Sequence, residues 1–237
     1  MIIGYDTETY KGYVKVLANS QGQYIESDDT LLLLDFLFET ATKEGYNVFF
    51  NIGYDLASVL KKYIIENGDS IRAKKYEIQE IKKLGIDENE EIGYSFEIEN
   101  YQIRYLNDKM FSIKRGKIIK NFWDTSNFYK SGYGHISLDY ASQRYLGRHK
   151  SNEEKGIDRR KIGEEEGYYE THRDKIIEYC IDDAILTSQL FKRTIEGYEK
   201  IGFKFPQKPY SEASIFKEYI NPKWDREKEY AISYQNS

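Results

Sequence analysis

One stretch limits the folds open to this 237-residue chain: the apolar-periodic run Asp174–Arg193. Read as a helix, Tyr179, Asp183, Leu186 and Leu190 fall at i, i+4, i+7 and i+11 on a single face. Lys175, Glu178, Asp182, Gln189 and Arg193 share another face, and all of them are polar. The pattern turns Asp182 to water and Asp183 inward, one turn beyond an inward tyrosine. A buried carboxylate costs several kcal/mol unless a positive group compensates it. No Lys or Arg lies on that face. A bound cation is therefore the economical answer, and other parts of the chain should supply further oxygen ligands.

The first seventy or so residues alternate strand and helix, which signals an α/β domain. Met1–Tyr5 reads as a short buried strand ending at acidic residues, and Val14–Leu17 as a second strand after the Lys11-Gly12 turn. Ser27-Asp28-Asp29 offers an N-cap for a helix over Leu31–Lys43, stopped at Gly45. Asn47–Asn51 is a compact strand, followed by a helix over Asp55–Glu66. The middle changes period. Gly93–Leu106 and Met110–Asp124 alternate in twos around turns at Glu99-Asn100 and Arg115-Gly116, which predicts two hairpins. Ser137–Leu146 reads as a short helix, Ser151–Tyr169 as an aperiodic charged loop, and Ser211–Ile220 as a final short helix after Pro206 and Pro209.

Composition fits a globular protein with a real core: 40% of residues are hydrophobic and 32% charged. No apolar run approaches the ~18–20 residues of a membrane span, and the N-terminus lacks the order of a signal peptide. The single cysteine, Cys180, excludes an intramolecular disulfide and fits a reducing interior, so a cytoplasmic location without membrane partners is expected. The net charge of −5 argues against unspecific coating of nucleic acid. Local basic patches stand at Arg72–Lys75, Lys114–Lys120 and Arg148–Lys150. The 23 tyrosines fit either biased base composition or selection for base stacking.

Two further acidic sites accompany Asp183. Asp6 and Glu8, at i and i+2 on extended backbone, point the same way and can face one metal pair. Asp55 stands where a strand gives way to a helix, in Asn51-Ile52-Gly53-Tyr54-Asp55. Each signal is weak alone: 40 acidic residues produce several acid-x-acid triplets by chance, and an acid at a helix start is ordinarily a cap.

In that order, Asp6-x-Glu8, Asn51-x-x-Tyr54-Asp55 and Tyr179-x-x-x-Asp183 resemble the three exonuclease motifs of the DEDDy 3′–5′ exonucleases. The match covers roughly residues 1–200 and is nearest to the proofreading domain of family B DNA polymerases, a DNA-replication activity. The resemblance implies an RNase H-like α/β fold, a mixed sheet flanked by helices with β-hairpin insertions. It also implies two divalent cations, Mg²⁺ or Mn²⁺, on Asp6, Glu8, Asp55 and Asp183, with Tyr179 orienting the attacking water. Thr9, Asn51 and Tyr54 would contact the single-stranded 3′ end. None of His135, His149 or His172 has a matching short spacing to Asp183, which favours the tyrosine subtype. Lys150 and Lys155 are candidates for the lysine that assists in protein-primed relatives, although both read as solvated. Asp124, at a strand end, reads as a supporting acid.

Residues 1–203 are expected to form the exonuclease domain. Residues 204–237 form a tail similar to the segment linking exonuclease to palm. No palm, fingers or thumb motif follows, so polymerase activity is not expected. The chain reads as a free-standing exonuclease or an excised domain, with a separate DNA polymerase or replication protein as a candidate partner. Two alternatives stay open: a non-catalytic single-strand-binding module, and an RNase D-like enzyme acting on RNA.

Overall fold

The computed structural model describes residues 1–67, 74–75, 93–131, 134–210 and 215. Its main sheet has nine strands in the order β3-β2-β1-β4-β9-β8-β7-β6-β5. β1 (Ile2–Tyr10), β2 (Tyr13–Asn19) and β3 (Tyr24–Ile25) form an antiparallel meander. β1 also pairs in parallel with β4 (Tyr46–Phe49), and β4 with β9 (Ile118–Asp124). The hairpin strands β5 (Lys74–Lys75), β6 (Gly93–Ile98), β7 (Tyr101–Leu106) and β8 (Met110–Arg115) extend the far edge, antiparallel throughout. The fold is α/β, with a mixed sheet flanked by helices.

Several boundaries differ from the sequence expectation. β1 does not stop at Tyr5 but runs through Asp6 and Glu8 to Tyr10, because β2 pairs with it along that length. α1 (Thr30–Thr40) is capped by Asp29, whose carboxylate accepts from the Leu31 and Leu32 amides at 2.9 and 3.1 Å, and it ends three residues early. α2 (Ile52–Asn67) begins before Asp55, so that residue sits in the first turn rather than at the cap. The cap is supplied across the sheet: Asp124, fully buried, accepts from the Asn51 and Ile52 amides at 3.0 and 3.3 Å. The hairpins over 93–106 and 110–124 form as expected.

After a one-turn 3-10 helix (Thr125–Phe128) come the two short strands β10 (Lys130–Ser131) and β11 (Gly134–His135). α3 (Leu138–Leu146) is capped by Ser137 and closed by Gly147 at φ 68°. The segment 151–169 is not simply a loop. It carries α4 (Arg159–Glu164), which is tied to the β1–β2 turn by the Lys11 amide donating to the Gly163 carbonyl at 2.9 Å. α5 (Tyr168–Lys200) is far longer than the periodic run and is kinked at His172. Its inward face is as predicted: Tyr179, Asp183, Leu186 and Leu190 are buried, while Lys175, Glu178 and Arg193 are exposed.

An aromatic core lies against the sheet, with Tyr5 stacked on Phe49 at 5.4 Å and Phe111 on Phe122 at 4.5 Å. The first residues of the C-terminal tail join a second cluster: Phe205 packs on Tyr46 and Phe191, and Tyr210 on Trp123. The helix expected at Ser211–Ile220 lies outside the described residues except for buried Ile215. Arg72 and Ala73 of the Arg72–Lys75 patch lie outside them too. Among the described residues no helix is long and apolar enough to cross a membrane.

The site depends on how closely α5 lies on β1. At Gly4 a Cβ would collide with the Ala184 carbonyl and reach 2.9 Å from the Ser188 amide. Gly4→Ala must therefore separate helix from strand. Its expected cost is about 3 kcal/mol or more, a fall of roughly 6–12 °C in the thermal midpoint. Gly197, inside α5 with open space around it, provides the contrast: Gly197→Ala should stabilise by about 0.5–1 kcal/mol. Calorimetric melting of both variants checks the pair.

Candidate metal centre

The alternation of β1 sends its side chains to two sides. Thr7 and Thr9 meet α2: the Thr7 hydroxyl donates to Asp55 Oδ1 at 2.6 Å, and the Thr9 and Tyr54 hydroxyls share a hydrogen bond of 2.7 Å. Asp6 and Glu8 turn the other way, toward α5. The Cys180 thiol donates to the Asp6 carbonyl at 3.3 Å, fixing the helix against this part of the strand. As a result Asp6, Glu8 and Asp183 offer carboxylate oxygens that all lie within 4.8 Å of one another.

Asp6 and Glu8 border a cleft of about 1010 Å³, next to the fully buried Asp183. Its walls are Asp6–Thr9 from β1, Asn51, Tyr54 and Asp55 from the start of α2, Ile136–Leu138 ahead of α3, and Lys150 with Ile157–Arg160. Asp55 belongs to the cleft but not to the tight cluster, and the Thr7 hydroxyl holds it. Asn51 stands at the mouth with φ 68°, a left-handed conformation that asparagine tolerates better than most residues. Tyr54 is 54% exposed and presents its ring to the cleft.

Lys150 is the residue that sequence reasoning misplaced. It is buried rather than solvated, and its ammonium forms an ion pair with Asp183 Oδ2. The pairing is built in. The Lys150 amide donates to Asp139 Oδ1 at 2.9 Å, and the neighbouring Ser151 hydroxyl donates to Asp182 Oδ2 at 2.6 Å, so the segment is pinned between α3 and α5. The inward Asp183 demanded a cation, and the chain supplies one from thirty-three positions away. Lys155 instead pairs with Glu178 and Asp182 at the rim, at 2.9 and 3.4 Å. Arg159 also lines the cleft; nothing in its aperiodic segment marked it.

One lysine does not balance the acids. Burial pushes the Glu8 carboxyl up to about 8, only partly opposed by Lys150. Burial likewise pushes Asp55 up to about 7 against the Thr7 hydrogen bond. Asp6 is raised well above its ordinary range by burial and by the neighbouring Asp183 and Glu8, and Asp183 is raised by burial despite Lys150. Tyr179 is pushed up by burial and by Asp183, so its hydroxyl stays protonated. That hydroxyl lies beside Asp183 and helps to lower its proton affinity, though it falls outside strict hydrogen-bond geometry, and Asp183 Oδ1 has no other hydrogen-bond partner among the described residues. A fully buried carboxylate oxygen left open beside two other carboxylates is what a divalent cation requires: hard oxygen donors with negative charge in excess. The residues present fit such an ion.

The raised carboxyls fix a pH dependence. Each binds its proton more tightly folded than unfolded, so the stability these groups contribute to the metal-free fold is fully present below the unfolded values of 3.8 and 4.5. That stability is lost as pH rises through about 7 and 8. In EDTA the thermal midpoint should fall between about pH 5 and about pH 8. Asp6→Asn should flatten the fall and raise the alkaline midpoint. Mn²⁺ should restore the native chain at the alkaline end and leave Asp6→Asn much less changed. A midpoint in EDTA that rises with pH would contradict this account. No protein-family model, curated protein or solved structure matches the chain.

Proposed function

We propose that this chain is a metal-dependent 3′–5′ exonuclease acting on single-stranded DNA ends, with an RNase H-like fold of the DEDDy type. The observation that carries the reading is the convergence of Asp6, Glu8 and Asp183, from opposite ends of the sequence, within ligand distance of one ion. Tyr179 lies buried one turn before Asp183, as the motif order requires. The mixed sheet, the hairpin strands between the second and third motifs, and the long helix carrying the third motif support the fold assignment.

Asp6, Glu8 and Asp183 would hold a divalent cation, with Asp55, held by Thr7, available to a second. Bound there, such ions supply Lewis-acid stabilisation of the phosphoryl oxygens and lower the pKa of water. The chain's own residues set the rest. Tyr179 is a permanent donor at working pH, so it orients a water oxygen and does not remove its proton. Lys150 offsets part of the negative charge at Asp183, lowering the repulsion an anionic strand meets on approach. The Tyr54 ring offers a stacking surface, kept in place by Thr9, and a base–aromatic stack is worth ~1–3 kcal/mol. Asn51 presents its amide at the mouth for sugar or phosphate.

One observation favours the non-catalytic reading: Asp183, the third-motif acid, already has an internal cation in Lys150. Activity separates the two. End-labelled single-stranded DNA and RNA, and 3′- and 5′-recessed duplexes, are digested with Mg²⁺, Mn²⁺ or EDTA. The expected result is metal-dependent laddering from the 3′ end of DNA, abolished in Asp6→Ala/Glu8→Ala. Tyr179→Phe should slow cleavage by about 10²-fold or more with little change in strand affinity. Binding without cleavage in either metal would leave the binding module. Faster removal of ribonucleotides would move the enzyme to RNA.

A further inference from the structure

An anionic strand entering this cleft meets a wall of carboxylates, and few cations face it. Lys150 is spent on Asp183, and Lys155 is spent at the rim on Glu178 and Asp182. Two cations remain on the cleft wall, Arg159 and Arg160, which open α4. Neither side chain makes an ion pair or hydrogen bond with any described residue. They are not equivalent. Arg159 lies within electrostatic reach of Glu8, Asp183, Asp6 and Tyr179, whereas nothing places Arg160 against the acids.

A guanidinium this near several carboxylates would ordinarily close a bidentate pair with one of them. Here the acids are directed elsewhere: Asp183 to Lys150, Asp55 to Thr7, and Asp6 and Glu8 toward each other's cluster. The arginine fork is left open toward the cleft. Its position is fixed from behind, since the Asp158 amide donates to the Tyr168 hydroxyl at 2.9 Å and Gly163 accepts from the β1–β2 turn. An always charged, planar donor with free N–H groups, carried on a pinned stretch of backbone, matches two oxygens of a phosphodiester.

We propose that Arg159 binds the phosphodiester brought against the Asp6–Glu8–Asp183 cluster, and so makes the cleft selective for a charged linkage. This rests on the exonuclease reading and adds to it the residue that receives the reacting phosphate. Arg159 supplies on one side of the phosphate the positive charge that Lys150, committed to Asp183, does not supply on the other. The neutral isostere of that linkage loses the fork's hydrogen bonds and should bind correspondingly less well.

The test uses the full chain in EDTA, so that binding is read without cleavage. Two fluorescent single-stranded DNA oligonucleotides differ only at the 3′-terminal linkage, a phosphodiester in one and a methylphosphonate in the other. By anisotropy the native chain should prefer the diester by about 10-fold or more, the range of charge-assisted hydrogen bonds. Arg159→Ala should bind both strands alike, and its slope of log K against log salt should fall by about 1. Arg159→Lys should keep the slope and lose most of the preference, because the charge stays and the fork goes. Arg160→Ala should keep the preference. Unchanged thermal midpoints exclude misfolding, which the exposed position of Arg159 makes a small risk. If Arg159→Ala keeps the native preference, or Arg160→Ala removes it, the assignment to Arg159 is wrong while the nuclease reading stands. If the native chain binds neither strand in EDTA yet cleaves with Mg²⁺ or Mn²⁺, Arg159 does not receive the phosphate and this inference falls alone; if it also fails to cleave, the nuclease reading falls with it.

Discussion

The structure turns on the backbone contact between Gly4 of β1 and the Ala184–Ser188 turn of α5. Only a residue without Cβ lets the helix lie this close, and only a helix this close brings Asp183 to within ligand distance of Asp6 and Glu8. The contact has hydrophobic support on either side. Cys180 and Ile176 pack on one flank, and Leu190 and Phe191 on the other, all fully buried. Further along, Tyr169 and Arg173 both donate to Glu26 at 2.7 Å, pinning the start of the helix beyond its kink at His172. The helix is thereby held at several points, and the carboxylates cannot relax apart to relieve their repulsion.

That constraint sets the energetics of the cleft. Carboxylates that repel at close range in a partly desolvated site raise one another's proton affinity, and the fold holds them together at a cost to its own stability. The core must offset it, and the packed rings of Tyr5, Phe49, Phe111 and Phe122 are part of that core. Lys150 reduces the cost without abolishing it. A site stabilised fully by internal ion pairs would have no reason to take up a cation, whereas one carrying several acids and one ammonium remains short of positive charge.

The parts of the fold written in local periodicity were legible from the sequence. The i, i+4, i+7, i+11 face of α5 placed Tyr179 and Asp183 inward, and the period-two runs placed both hairpins. Boundaries set by partners elsewhere were not. β1 continues to Tyr10 because β2 pairs with it, and α2 starts at Ile52 because Asp124 caps it across seventy-two positions. The same distinction divides the site. Asp6 and Glu8 share a strand face and were readable as a pair. Lys150 lies just before, and Arg159 within, an aperiodic segment whose conformation is fixed by Asp139, Asp182, Tyr168 and the β1–β2 turn, and none of these leaves a mark in the local sequence.

The two-sidedness of β1 explains why the cleft needs this strand in this register. Its even positions carry Asp6 and Glu8 to the helix, and its odd positions carry Thr7 and Thr9 to Asp55 and Tyr54. A slip of one residue would exchange the two sets, putting threonines where acids converge and acids against Asp55. Parallel pairing of Ile2–Gly4 with β4 fixes the register at one end, and antiparallel pairing with β2 fixes it at the other. Between Glu8 and Thr9 the pairing with β2 shifts, β2 carrying the extra residue Lys15 opposite the step where the last acid and the contact to Tyr54 adjoin. One strand thus aligns the carboxylate cluster, carried by its even positions, with Tyr54 of the same cleft, held by its odd ones.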